Sequence, residues 1–529
     1  MSEPRYNFCM RWFRENKLAG LMAFHAAWGV VLWLSISKYG LGISTDSAHY
    51  LFAGLNLSRG VGLVSFNGSY VSLWPPLYST LLAIIHLTTG LDIFASANVL
   101  QFAAYVIAAF CLSVIFLKVF PDNFLFAFLG NVLSDIGIVV LTTFAVVGSD
   151  YVHLSLVMLF VMLTSLYMEH PGPRILLAMS FAGMLTMLDR YLGIAAIATG
   201  AVIVFFYTSG RALVRLLRSF LLGLSVLPAM IWFYIVFTRN GAGRAPVSFA
   251  DNFSTFSQSI LAWIFRSPIS KTSLPFYITI LWIAIGAMII VLFIFARRCP
   301  IFSSGSTPIL LYGLIYIIAL FGSAAIAYFN KLAGRFLLPV YVPIIALLLL
   351  SADALLRCAR DHGPVLRRFM PAAAFGMLAL ISFGLVRNTL PVVVQSFADG
   401  APGDNYFNNR AWNENGVLQY WKENIPRGSY LLFSNDPDAV AFHTMHDVSS
   451  SPHKYSGPYG KAVIPLDRYQ GQLFSSGKDV YLIWIEPDDY DFLYPVGQLS
   501  SIADVRVIFK SKDGAIYQLF PRQENPNSP

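Results

Sequence analysis

Residues 44–80 read STDSAHYLFAGLNLSRGVGLVSFNGSYVSLWPPLYST, and the rest of the chain is organised around them. Within this stretch Ala48, Leu51, Phe52 and Leu55 recur at the spacing of one helix stripe. Asp46 follows the hydroxyl residues Ser44 and Thr45, so it stands where that helix begins. There the positive end of the backbone dipole favours an ionised carboxylate. Gly60 and Gly62 end the helix, and Trp74-Pro75-Pro76-Leu77-Tyr78 opens another, proline being tolerated in a first turn. A short helix with one apolar face, next to a membrane span, is expected to lie on the membrane surface. The stretch would then present an acid at the membrane–water boundary. In the plainer alternative Asp46 only caps its helix.

Composition places this stretch in a membrane protein. Of 529 residues, 56% are hydrophobic and 12% charged, half the charge of a typical soluble domain, about 25%. The net charge of +8 falls mostly in short connections between apolar segments, the pattern of orientation by positive charge. Basic runs interleaved with aromatics are absent, so nucleic acid is not an expected partner. Cys9, Cys111, Cys299 and Cys358 are scattered without metal-ligand spacing, and no disulfide is expected. Arg5, Arg11, Arg14 and Lys17 precede an apolar run over 18–36. That run is long for a signal peptide and lacks a small-x-small cleavage site, so it reads as a retained first span.

Further apolar segments follow at 94–119, 123–147, 151–168, 175–188, 192–207, 219–238, 274–296, 307–328, 336–355 and 369–390, giving about 11 spans with the first. Residues 77–91 are too short to cross, and this decides the sidedness of everything after them. With 77–91 not crossing, Lys118, Arg174, Arg211, Arg297 and Arg357 gather on the cytoplasmic side. The outer loops then hold Asp46, Asp150, Arg190, Lys331 and Arg335. Ionisable groups at membrane depth are candidates for function, although either arginine alone could merely snorkel to lipid phosphates.

From about residue 391 the composition becomes that of an ordinary α/β domain, giving an expected division into a membrane domain, 1–390, and an extracytoplasmic domain, 391–529. Helices are expected at 412–424 and 438–444, and strands at 429–434, 479–485, 505–509 and 515–520, the last after the turn Lys512-Asp513-Gly514. His443, His446 and His453 match no metal spacing and read as surface loop histidines.

Taken together, these motifs resemble the GT-C superfamily of membrane glycosyltransferases that use polyprenyl-phosphate sugars. The pattern is nearest the bacterial branch related to protein mannosyltransferases and the lipid A aminoarabinose transferase. The resemblance covers most of 18–390. It rests on Asp46-Ser47-Ala48-His49-Tyr50, Trp74-Pro75-Pro76-Leu77-Tyr78, the acid Asp150, Asp189-Arg190-Tyr191 and Gly334-Arg335-Phe336-Leu337-Leu338-Pro339. It implies a polytopic α-helical fold in a bacterial inner membrane. It further implies inverting transfer of a sugar from a polyprenyl-phosphate donor to a lipid, glycan or protein acceptor of the envelope. On the same ground Asp46 is the expected base and Asp150 the second-loop acid. Arg335, Lys331 and Arg190 are the expected phosphate contacts, with His49 and Tyr50 as neighbouring substrate contacts. Several members carry a second acid directly after the first, where this chain has Ser47. One acid per loop is thin for a hard cation, so no metal or other cofactor is expected. A secondary transporter and a non-catalytic assembly protein are the rival classes. The former would place its charges near the midplane of repeated halves, and no repeat is visible.

Overall fold

The computed structural model describes residues 16–71, 74–240, 248–265, 269–270, 272–295, 303–326, 332, 334–360, 364–401, 406–425, 428–455, 462–486 and 490–522. The chain forms two compact units. One comprises residues 1–38, 72–81 and 95–398 and is helical. The other joins residues 39–71 and 82–94 to 399–529 and carries the sheet.

Among the described residues, eight helices are long and apolar enough to cross a membrane, and nine if the bent pair Phe124–Asp135 and Ile138–Phe144 is one span. Each of the eleven expected segments is helical. The difference in count comes from length. Pro173–Asp189 has 17 residues, and Tyr191–Tyr207 is likewise a shorter apolar helix. At 1.5 Å per residue both are about 25 Å long, short of the roughly 30 Å hydrocarbon layer. Leu77–Thr89 has only 13 residues.

The 51° break in the bent pair has a specific cause. Tyr341 packs so closely on Gly137 that no side chain would fit there. Its hydroxyl donates to the Leu133 carbonyl at 2.6 Å, while Thr389 donates to the Ile136 carbonyl at 2.6 Å. Side chains of other helices thus satisfy carbonyls near the break, as a membrane interior requires. At the same bend Asp135 meets His25 Nδ1 at 2.7 Å and accepts from the Tyr105 hydroxyl at 3.1 Å. His25 Nε2 meets Asn131 Oδ1 at 2.9 Å, and Asn131 donates its amide to the Ala127 carbonyl. This buried network fastens the first span to the broken one.

In the other unit the strands are β1 (Tyr430–Ser434), β2 (Val448–Ser450), β3 (Asp479–Ile485), β4 (Ala503–Ser511) and β5 (Gly514–Pro521). They form one sheet in the order β2-β1-β3-β5-β4, with β1 parallel to β2 and β3, and β5 antiparallel to β3 and β4. Alternation along the strands builds two cores. Phe433, Leu482, Trp484 and Leu519 meet Leu473 and Leu499 on one face. Leu432, Ile483, Ile485 and Ile516 lie in the core on the other, with Trp421, Val440, Ala48 and Phe52. Gly514 is required where β4 turns into β5. It has φ +133°, and a Cβ there would strike the Trp484 carbonyl.

Ala48 and Phe52 belong to the helix Thr45–Ser58 of the first loop. Its apolar stripe, expected to rest on lipid, is instead part of the core of the sheet unit. Two further expectations change. The helix expected at 412–424 is split into Arg410–Asn413 and Gly416–Asn424, because the Asn415 side chain accepts from the Val417 and Leu418 amides and starts a new helix. His443 is not a surface loop residue. It is buried in the helix Pro437–Thr444, with Nε2 on the Phe407 carbonyl at 2.6 Å and its ring stacked on Trp412.

Candidate functional site

Asp150 sits in the first turn of Ser149–Glu169, where the helix dipole favours its charge. The preceding Gly148 amide donates to the Tyr78 hydroxyl at 3.2 Å, tying this helix start to the Trp74-Pro75-Pro76-Leu77-Tyr78 motif. Arg190 lies just after Pro173–Asp189, in extended backbone that turns its side chain away from the helix. It donates from Nε to Ser149 Oγ at 3.1 Å and brings a terminal nitrogen within 2.6 Å of Asp150 Oδ1. Arg335 belongs to the single 3₁₀ turn Gly334–Leu337, whose Phe336 carbonyl accepts from the Tyr316 hydroxyl at 3.0 Å. Its guanidinium stands 4.0 Å from Asp150 Oδ2.

The motifs of three separate sequence regions therefore meet at one carboxylate. The side-chain exposures differ in an informative way. Asp150 is 9% exposed and Arg190 16%, while Arg335 is 39%. Arg190 is seated, and Arg335, at the longer contact, is the more accessible of the two. Behind them His153 and Asp189 form a fully buried pair 3.8 Å apart. Sequence reading missed His153, although its place three residues after Asp150 on one helix face was available as a signal. Helices that include Ser306–Ile326 and Leu338–Arg360 also enclose an apolar cavity of about 590 Å³, lined by Trp282, Ile289, Leu314, Pro343 and Leu347 among others. Lys331 lies outside the described residues.

The sheet unit holds the other expected residues. Asp46 is in the first turn of Thr45–Ser58, but it is not the cap. Ser44 is the N-cap, accepting from the Ser47 amide, and Ser47 Oγ accepts from the Ser44 amide in return. The capping alternative for Asp46 therefore fails. Ser47 is fully buried in this reciprocal pair.

His49 is one turn beyond Asp46 on the same face. Its ring stacks on Phe66 at 4.9 Å, Nδ1 bonds to Ser65 Oγ, and Nε2 lies 3.6 Å from Asp438 Oδ1. Burial lowers the His49 pKa, opposed by the negative charge of Asp46. Asp438 moves the other way, to about 7, first through burial and then through the charges of Asp436 and Asp46. Tyr50 is 2% exposed and packed in the unit. Asp438 was read in the sequence only as the start of a helix. Its signal was the acid–proline–acid run Asp436-Pro437-Asp438, which places two carboxylates at one helix end. Among the described residues, no three His, Cys, Asp or Glu side chains gather in a way that could hold a metal ion.

No family model matches the sequence, and no curated protein matches it. Among solved structures, the chain is similar to the apo crystal structure of ArnT from Cupriavidus metallidurans, with a TM-score of 0.58 and 12% identity. It is also similar to ArnT of that organism bound to undecaprenyl phosphate, with a TM-score of 0.57 and 14% identity. Each match covers 94% of this chain and 98% of the other. The chain is a multi-pass membrane protein with the GT-C fold of these structures.

Proposed function

We propose that this protein is an inverting glycosyltransferase that moves a sugar from a polyprenyl-phosphate donor to a hydroxyl or amine of a cell-envelope acceptor. The observation that carries the reading is the meeting of Arg190 and Arg335 at Asp150 in a chain of GT-C fold. Two guanidinium groups stand together at one carboxylate, and arginine can take a phosphate in paired hydrogen bonds. The apolar cavity suits a polyprenyl chain. ArnT from Cupriavidus metallidurans has been crystallised with such a lipid phosphate, undecaprenyl phosphate.

A sugar joined to a lipid phosphate already has its leaving group. Asp46 takes the proton of the attacking acceptor group, whose lone pair forms the new bond to the anomeric carbon. The anomeric carbon–oxygen bond breaks on the opposite side, and its electron pair leaves with the polyprenyl phosphate. Arg335, with Lys331, meets the charge that develops on that phosphate. Arg190 does the same from a more fixed position, and Asp150 orients both arginines instead of accepting a proton. His49 and Tyr50 belong to the surroundings of Asp46. We place the protein in the bacterial inner membrane, with 1–390 as the membrane domain and 391–529 outside the cytoplasm. No metal is needed for this displacement.

The test is reconstitution of the full chain in liposomes with ¹⁴C-labelled undecaprenyl-phosphate mannose, glucose and 4-aminoarabinose, and a washed envelope fraction as acceptor. Label should leave the lipid and appear on an envelope component. Label that crosses the bilayer still joined to its lipid would establish transport in place of transfer.

A further inference from the structure

The sheet unit contains an acid that the proposed reaction has not used. Asp438 lies in the first turn of Pro437–Thr444, a helix packed on Thr45–Ser58. Both helices thus carry an acid in their first turn, Asp46 on one and Asp438 on the other. Between the two acids in chain contact stands His49, held from three directions. Phe66 covers its face, Ser65 takes Nδ1, and the Asp438 carboxylate faces Nε2 at 3.6 Å. The His49 and Asp438 side chains are 18% and 19% exposed, so neither is sealed in the core nor free in solvent.

We propose that Asp438 is a positioning residue for Asp46: its carboxylate faces His49 Nε2 and fixes the imidazole beside the base. This rests on Asp46 being the base of the proposed transfer. It gives the C-terminal domain a part in the reaction and supplies, from far along the chain, the second acid that Ser47 does not.

The charged surroundings support this role. Thr45–Ser58 contributes Asp46 and His49, and the end of Pro437–Thr444 contributes Asp436 with Asp438. From Gly416–Asn424, Lys422 contacts His443, near the far end of the Asp438 helix. From β1, Tyr430 stands against His446. β2 carries no titratable group. Burial first, and then the charges of Asp436 and Asp46, raise the Asp438 pKa to about 7. The sign of the consequence for stability follows. A carboxyl whose folded pKa lies above its unfolded value of about 3.9 favours folding through its protonated form. That advantage is lost as pH rises from about 4 to 7, and above 7 the folded state holds an unfavourable charge.

The experiment compares the full-length parent with Asp438→Asn, Asp438→Glu, His49→Gln and Asp46→Asn in detergent and in liposomes. Thermal stability is followed from pH 4 to 8.5. Turnover is followed over the same range with the ¹⁴C-labelled undecaprenyl-phosphate sugar that the parent consumes. Asp438→Asn should melt higher than the parent at pH 8, with the difference vanishing toward pH 4. Its kcat should fall about 10-fold while KM for the lipid donor stays near that of the parent, because the His49 ring is no longer held beside Asp46. Asp438→Glu should restore most of the turnover. Combining Asp438→Asn with His49→Gln should cost less than the sum of the two, since both act on one base. If Asp438→Asn leaves kcat in place, or lowers it without rescue by Asp438→Glu, Asp438 is structural and the inference fails. An active Asp46→Asn enzyme would instead remove the base itself, an outcome separate from anything seen at Asp438.

Discussion

In the helical unit Arg190 and Arg335 set two positive charges against the carboxylate of Asp150, whereas in the sheet unit Asp46 and Asp438 set two carboxylates around the imidazole of His49. One cluster gathers cations at an acid, and the other gathers acids at an imidazole. A third network lies in the helical unit. There His25 meets Asp135 and Asn131, Tyr105 donates to Asp135, and Ser113 donates to Asn131, all of them buried. Buried throughout, the His25 network joins helices. The other two clusters include partly exposed side chains, Arg335 at 39% and His49 and Asp438 at 18% and 19%. Access to a charged side chain thus separates the candidate sites from this structural network.

The contrast can be broken most directly at Asp46. Asp46→Asn keeps the size of the side chain and leaves the Ser44–Ser47 capping pair intact, but an amide cannot accept the acceptor's proton. Turnover is expected to fall by roughly 10²–10⁴-fold while the melting temperature stays near that of the parent. A fully active variant would move the base elsewhere.

Next in size is the His25 network. His25→Leu strands the buried Asp135 carboxylate, and removing one partner of a buried pair costs about 3–5 kcal/mol. Chemical denaturation in detergent should show that loss. Folded protein recovered at low temperature should still bind undecaprenyl phosphate like the parent, because this network lies outside the proposed donor contacts. Smaller again is Arg335→Ala, which removes a charge-assisted contact worth about 1.5–3 kcal/mol. Donor use should drop about 10- to 100-fold, with Arg335→Lys recovering part of it since lysine cannot form the paired contact. Donor affinity and turnover unchanged in Arg335→Ala would reduce this residue to an interfacial anchor.

Much of the fold could be read from the sequence because its signals are local. Apolar runs marked the spans, and Lys512-Asp513-Gly514 marked the β4–β5 turn, where only glycine fits under the Trp484 carbonyl. The motifs around Asp150, Arg190 and Arg335 were also legible, each as an ionisable residue at the end of an apolar segment. What stayed hidden was tertiary pairing. An apolar stripe of Ala48, Leu51, Phe52 and Leu55 states that a face must be buried, and lipid and a sheet satisfy it equally well. Only the fold shows Ala48 and Phe52 in one core with Trp421 and Ile483. Asp438 was missed for the same reason. Its meaning comes from His49, almost 400 residues earlier in the chain, and no spacing rule reaches that far. Likewise His443 looked like a loop histidine until Phe407 and Trp412 closed over it.

The smallest expected effect completes the dissection of the first-loop helix. Ser44 and Asp46 are two residues apart, and the sequence reading weighed only Asp46 as a cap. In the structure Ser44 does the capping, and its side chain accepts from the Ser47 amide at 3.3 Å. That distance is long for such a bond, so Ser44→Ala should cost toward the lower end of the usual 0.5–2 kcal/mol for a lost cap. The loss takes the Ser44 oxygen away from the amide of Ser47, a residue buried at 0% exposure, while the Ser44 amide still donates to Ser47 Oγ, which argues for a small effect that does not vanish. The melting temperature should therefore fall by a few degrees, while kcat at a permissive temperature stays within about 2-fold of the parent. Asp46→Asn is expected to do the reverse, losing activity and keeping stability. Two neighbouring residues in one helix turn would then separate cleanly into a structural and a chemical role. If Ser44→Ala instead abolishes turnover in a folded protein, the first turn acts as one unit, and the loss in Asp46→Asn could no longer be assigned to proton transfer alone.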